Sequence, residues 1–79
     1  MPNGRRLRGL RATDILRALG RAGWYESSRS GSHIQLRNVD QPGLKVTVPF
    51  HRVRDIPVRT VLSILHQAGL TPEEFEELL

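Results

Sequence analysis

The chain has no cysteine. That removes disulfides, thiolate metal ligands and nucleophilic thiols from consideration, and it fits a reducing compartment, so the expected location is cytoplasmic. No apolar run approaches the ~18 residues that a bilayer-spanning helix needs, and no hydrophobic signal segment follows the arginine-rich start; no membrane partner is expected. Acidic residues are scarce and unevenly spread. Of the eight, Glu73, Glu74, Glu76 and Glu77 lie in the last seven positions. Residues 1–72 therefore carry twelve Arg and Lys against Asp14, Glu26, Asp40 and Asp55, a local balance of +8 where the whole chain shows only +4. Such an excess points to a polyanionic partner, nucleic acid first, although a general habit of using arginine gives the same count.

Several kinds of chemistry are also missing. There is no glycine-rich phosphate loop of the P-loop or dinucleotide type. His33 and His51 are eighteen residues apart with no cysteine and no H-x-x-x-H spacing, a poor zinc set, so neither a metal nor a cofactor is expected. Ser32 and His33 are adjacent, which on a strand turns their side chains to opposite faces, so they make no nucleophile–base pair.

What is present reads as one domain of 79 residues, a size that buries roughly 60–65% of the extended chain's surface. Residues 1–11, with Arg5, Arg6, Arg8 and Arg11 among Gly4 and Gly9, read as a basic flexible arm, either a phosphate contact or a solvated tail. Residues 12–79 form the domain. Ile15, Leu16, Leu19 and Ala22 recur at helical spacing and predict a helix from Thr13 to Ala22, with Asp14 and Arg21 suited to its dipole and Gly23 as its stop. Strands are expected at Trp24–Ser28, His33–Arg37 and Leu44–Val48, joined by turns at 29–32 and 38–43. Pro57 fits the first position of a second helix whose stripe is Val58, Val61, Leu62, Leu65 and Ala68, ended by Gly69. Thr71, Pro72 and Glu74 spell the N-cap, N1 and N3 of a short third helix, with Leu70 and Phe75 placed for a hydrophobic staple.

The fold class is α+β: helix, three-stranded antiparallel meander, helix, and a short C-terminal helix. Ile34, Leu36, Leu44, Val46 and Val48 give the sheet one apolar face for the helices, which leaves the other face open. That open face should carry His33, Gln35, Arg37, Lys45 and Thr47. A histidine among cations and hydrogen-bonding groups suits a phosphodiester. RNA supplies its own nucleophile, the 2′-hydroxyl. A protein need only take that proton, neutralise the phosphorane charge and protonate the leaving oxygen. An imidazole with an ordinary pKa near ~6.5 serves as a general acid or base worth ~10²–10⁴ in rate. His33 begins its strand beside a glycine turn and is the candidate catalytic group. His51 either approaches the open face or packs locally, and His66 reads as a solvated helix residue.

Four pieces, in this order and at this length, carry a family likeness. They are Leu19…Ala22-Gly23-Trp24; Gly31-Ser32-His33; Val46-Thr47-Val48-Pro49-Phe50-His51; and Thr60-Val61-Leu62-Ser63-Ile64-Leu65-His66-Gln67-Ala68-Gly69-Leu70. Over about residues 13–79 the chain resembles the HicA toxins of HicA–HicB toxin–antitoxin systems. The resemblance implies a fold like that of a double-stranded-RNA-binding domain and a metal-independent endoribonuclease acting on mRNA. It also implies catalysis by His33, with Gly31 and Ser32 shaping its turn, and a HicB-type antitoxin partner that covers the basic face. RNA contacts are expected from Gly31, Ser32, Gln35, Arg37, Lys45, Thr47, His51 and Arg52. The arm at residues 1–11 is longer and richer in arginine than the family pattern.

Two other readings use the same residues. A non-catalytic RNA-binding module of this architecture would place cations near the second helix's N-terminus, where Arg52, Arg54 and Arg59 stand. An interaction protein would use its basic face for an acidic protein partner alone.

Overall fold

The computed structural model describes residues 7–51 and 54–79. The element order is α1 (Ala12–Arg21), β1 (Trp24–Ser30), β2 (His33–Asn38), β3 (Val46–Pro49), α2 (Val58–Ala68) and α3 (Pro72–Glu76). The sheet is antiparallel throughout, in the order β1-β2-β3. The α+β class and the α-β-β-β-α order expected from the sequence are what the chain adopts.

α1 forms because Ala12, Ile15, Ala18 and Leu19 align on one buried stripe, with Leu16 and Ala22 at its margin. Its N-cap, Arg11, has no side-chain acceptor to offer. The orphan amides are served from the other direction, where Arg11 N–H donates to Asp14 Oδ2 at 2.8 Å, half of a capping box. The helix ends where Gly23 takes φ +97°. A Cβ there would also meet the Asn38 side chain at 3.2 Å, so conformation and space both call for glycine.

Ile34, Leu36, Val46 and Val48 are buried beneath α1 and α2, the period-two burial of a sheet with one covered face. α2 contributes Val61, Ile64, Leu65 and Ala68. Leu62, expected in that stripe, is exposed, and Ile64 occupies the inward position instead. Pro57 stands at the N-cap rather than at N1, and Val58 opens the helix. α3 is built as its sequence spells. Thr71 Oγ1 accepts from Glu74 N–H, Glu74 Oε1 accepts from Thr71 N–H, and Phe75 is wholly buried beside half-buried Leu70. Burying a side chain of that size contributes roughly 1.5–3 kcal/mol.

Several boundaries differ from expectation: α1 begins and ends one residue earlier, and β2 and β3 each end one residue later. β1 runs two residues further, to Ser30, because it pairs with β2 up to a two-residue turn. β3 starts at Val46, since Leu44 and Lys45 precede the ladder. Of the expected arm, residues 1–6 lie outside the described residues. From Leu7 the chain is packed, with Leu7 buried, Leu10 against the core, and Ile56 N–H bonded to Leu10 C=O at 2.6 Å. Arg5 and Arg6 lie outside the described residues.

Candidate functional site

The site begins with the Gly31-Ser32 turn. Ser30 pairs with His33, so the two intervening residues make a two-residue hairpin loop. Gly31 has φ +59° and no described non-glycine residue has a positive φ, the sign pattern of a type II′ turn, which matches the twist of the flanking strands. Ser32 C=O accepts from Phe50 N–H at 2.6 Å, which ties the chain leaving β3 to the same turn. His33 is thereby held at the first position of the central strand by pairing on both sides, to Ser30 of β1 and Pro49 of β3.

Directly paired residues share a sheet face, so the register defines the open side row by row. Ser30, His33 and Pro49 form the first row. Ser28, Gln35 and Thr47 form the second. Tyr25 and Arg37 form the third, and Lys45 lies just before β3 on the same side. His33 and Lys45 are exposed, while Gln35, Arg37 and Thr47 are half-buried. No side chain larger than serine or proline flanks the imidazole across the strands, which leaves it open to an incoming polymer.

A bulge in β1 makes this arrangement. The pairing steps from Glu26↔Leu36 to Ser28↔Gln35, so Ser27 is the extra residue, with its hydroxyl donating to Gln35 C=O at 3.3 Å. Beyond the bulge the alternation is inverted. Ser28 and Ser30 come to the open face, and Arg29 turns to the helix side. There its guanidinium lies 5.3 Å from the centroid of Phe50 and pairs with Glu26 at 3.2 Å. Without the bulge Arg29 would stand on the face with His33.

The expected RNA contacts are not equivalent. Gly31 and Ser32 form the turn. Gln35 and Thr47 are joined to one another, Thr47 Oγ1 donating to Gln35 Oε1 at 3.2 Å. Thr47 N–H, on the outer edge of β3, donates to Gln67 Oε1 of α2 at 2.9 Å. Arg37 donates through Nη1 to the carbonyls of Pro42 and Leu44 at 3.2 and 3.3 Å, so it braces the loop between β2 and β3. His51 is exposed, two residues past β3, beside a depression lined by Arg11, Ala12, Thr13 and Phe50. Arg52 lies outside the described residues. Arg54 and Arg59 are exposed, away from the sheet's open face, at the approach to α2 and in its first turn. His66 is exposed on α2.

Tyr25, Ser28 and Ser30 share the open face and were not anticipated there. Trp24 facing inward was a signal for Tyr25, because adjacent strand residues alternate. Ser28 and Ser30 depend on the bulge, which no motif announces.

No helix among the described residues is long and apolar enough to cross a membrane. No protein of curated function matches the chain. Residues 12–70 match the family model described as the HicA toxin of bacterial toxin–antitoxin, and that match takes in α1, the whole sheet and α2. It covers well over half of the 79 residues, so the chain belongs to the HicA toxin family of toxin–antitoxin systems.

Proposed function

We propose that this HicA toxin is a metal-independent endoribonuclease that cleaves mRNA in the cytoplasm, with His33 as the general acid/base. The observation that carries the reading is the position of His33: an exposed imidazole at the start of the central strand, on the uncovered sheet face, fixed by backbone pairing on both sides. The imidazole takes the proton of a ribose 2′-hydroxyl, whose oxygen attacks the adjacent phosphorus; the P–O5′ bond breaks, a 2′,3′-cyclic phosphate remains, and the 5′-oxygen of the next nucleotide leaves with a proton drawn from water. Lys45, two rows along the open face from His33, offers positive charge to a neighbouring phosphate, and the basic surface as a whole raises the local concentration of RNA. Ser28, Ser30, Gln35 and Thr47 offer hydrogen bonds to ribose and phosphate oxygens. DNA lacks the 2′-hydroxyl and is not a substrate by this route. An antitoxin of the HicB type covers the open face and silences the enzyme.

The test is cleavage of single-stranded RNA by purified wild-type protein and His33→Ala. The expected result is a fall in rate of about 10²–10⁴ with an unchanged thermal midpoint. Equal rates would remove His33 from the chemistry. Salt-dependent binding without any cleavage by the wild type would instead favour the non-catalytic RNA-binding module.

A further inference from the structure

The chain has four aromatic side chains, and three are committed to the interior or its margin. Phe75 and Trp24 are buried, and Phe50 packs against the core beneath the Arg29 guanidinium. Tyr25 is 49% exposed. It stands on the open face, paired across the strands with Arg37. Together with Arg37, Asn38, Val39 and Pro42 it lines a shallow depression of about 430 Å³, within the size range of small-ligand sites. The floor is already rigid. Arg37 is held by two carbonyls. Asn38 is buried, donating to Ala22 C=O and accepting from Asp40 N–H, both at 3.0 Å. Val39, 76% exposed, adds an apolar side chain that nothing in the fold covers.

An exposed ring, an uncovered aliphatic side chain and a fixed guanidinium on a basic face have the chemistry of a base-stacking platform. We propose that Tyr25 and the Arg37–Pro42 segment form a nucleobase subsite that takes an unpaired base of single-stranded RNA. This rests on the reading that the open face binds RNA. Arg37 lies four steps along β2 from His33, a distance of about 13 Å, so the captured base lies a few nucleotides from the phosphate at His33. Stacking uses the π-face common to all bases, so the subsite selects for single strand rather than for sequence. A duplex keeps its bases stacked inside and cannot offer one.

The experiment uses a fluorescein-labelled single-stranded RNA carrying 2′-O-methyl groups, which binds without being cut. Anisotropy titrations compare wild type, Tyr25→Ala and Tyr25→Phe. Tyr25→Ala is expected to weaken binding about 5- to 100-fold, and Tyr25→Phe to stay within about two-fold, because stacking needs the ring and not the hydroxyl. The same RNA annealed to its complement should show no difference between the three proteins. A single abasic position stepped along the shortest strand that keeps full affinity, whose length fixes its register, should weaken wild type at one place and leave Tyr25→Ala indifferent there, the signature of a coupled pair. Equal affinity of wild type and Tyr25→Ala for the single strand would overturn the subsite while leaving RNA binding intact. Lost antitoxin affinity with unchanged RNA affinity would overturn it too, and would assign the patch to the protein partner. A wild type that binds no single-stranded RNA would overturn the RNA reading itself. Should Tyr25→Ala fail to fold, the abasic scan on wild type and Tyr25→Phe still decides, since no position-specific penalty would overturn the subsite.

Discussion

The two faces of the sheet are made by the same strands, one residue out of phase, and they are held together differently. On the helix side Ile34, Leu36, Val46 and Val48 are buried by α1 and α2, and their contribution is removal of apolar area from water. On the open side Gln35 bonds to Thr47 and Arg37 bonds to loop carbonyls, partly solvated contacts worth little each. The side chains of His33 and Tyr25 make no hydrogen bond or ion pair among the described residues, and both are exposed. The lesson is a division of labour along one strand. Stability resides in the even-numbered residues of β2, and the odd-numbered ones give the open face its polar side chains.

Adjacent substitutions in β2 give the largest test of that contrast. Ile34→Ala is expected to cost about 2–5 kcal/mol by chemical denaturation, the usual range for truncating a buried aliphatic. Gln35→Ala, one residue on, should cost under ~1 kcal/mol. Similar costs at the two positions would break the comparison. The next effect is at the edge of β3. Gln67→Ala leaves the Thr47 amide without its partner, and should destabilise by about 1–3 kcal/mol, with Gln67→Glu recovering part of that stability because a carboxylate also accepts. Amide hydrogen exchange at Thr47 should accelerate in the alanine variant; unchanged protection would show that α2 does not seal that edge. The smallest effect joins the two faces. Gly31→Ala forces an L-residue into a left-handed turn at a cost of about 1–2 kcal/mol. Because the turn sets where His33 begins, RNA cleavage by the folded variant should fall as well. A loss of stability with full cleavage would mean that the hairpin loop does not position the imidazole.

Much of this was legible in the residues. The alternation Ile34/Leu36 against His33/Gln35/Arg37 predicts both faces of β2, because the side-chain period of a strand is two wherever pairing is regular. The punctuation Thr71-Pro72-x-Glu74 predicts the start of α3, because caps are satisfied within four residues. Four short pieces in order, from Leu19 to Leu70, carried the family likeness, and the match over residues 12–70 shows the family. Other features were not legible. Leu62 and Ile64 are both aliphatic and near the boundary of the α2 stripe, and only the sheet's position decides which one turns inward. Arg37 reads as a free cation on an open face, yet the loop it faces returns two carbonyls within reach. Leu7 sits among arginines, and its burial depends on a surface that exists only once the helices have docked.

Local rules therefore determined the element order, the inward and outward residues of β2, the helix caps and the basic character of the surface, since each depends on neighbours close along the chain. Tertiary structure alone decided the bulge at Ser27, the removal of Arg29 to the helix side, the sealing of β3 by Gln67 and the meeting of Tyr25 with the turn after β2. Those outcomes depend on register between strands and on groups distant in sequence. A single inserted residue reverses the face of every side chain beyond it until pairing fixes where the insertion falls.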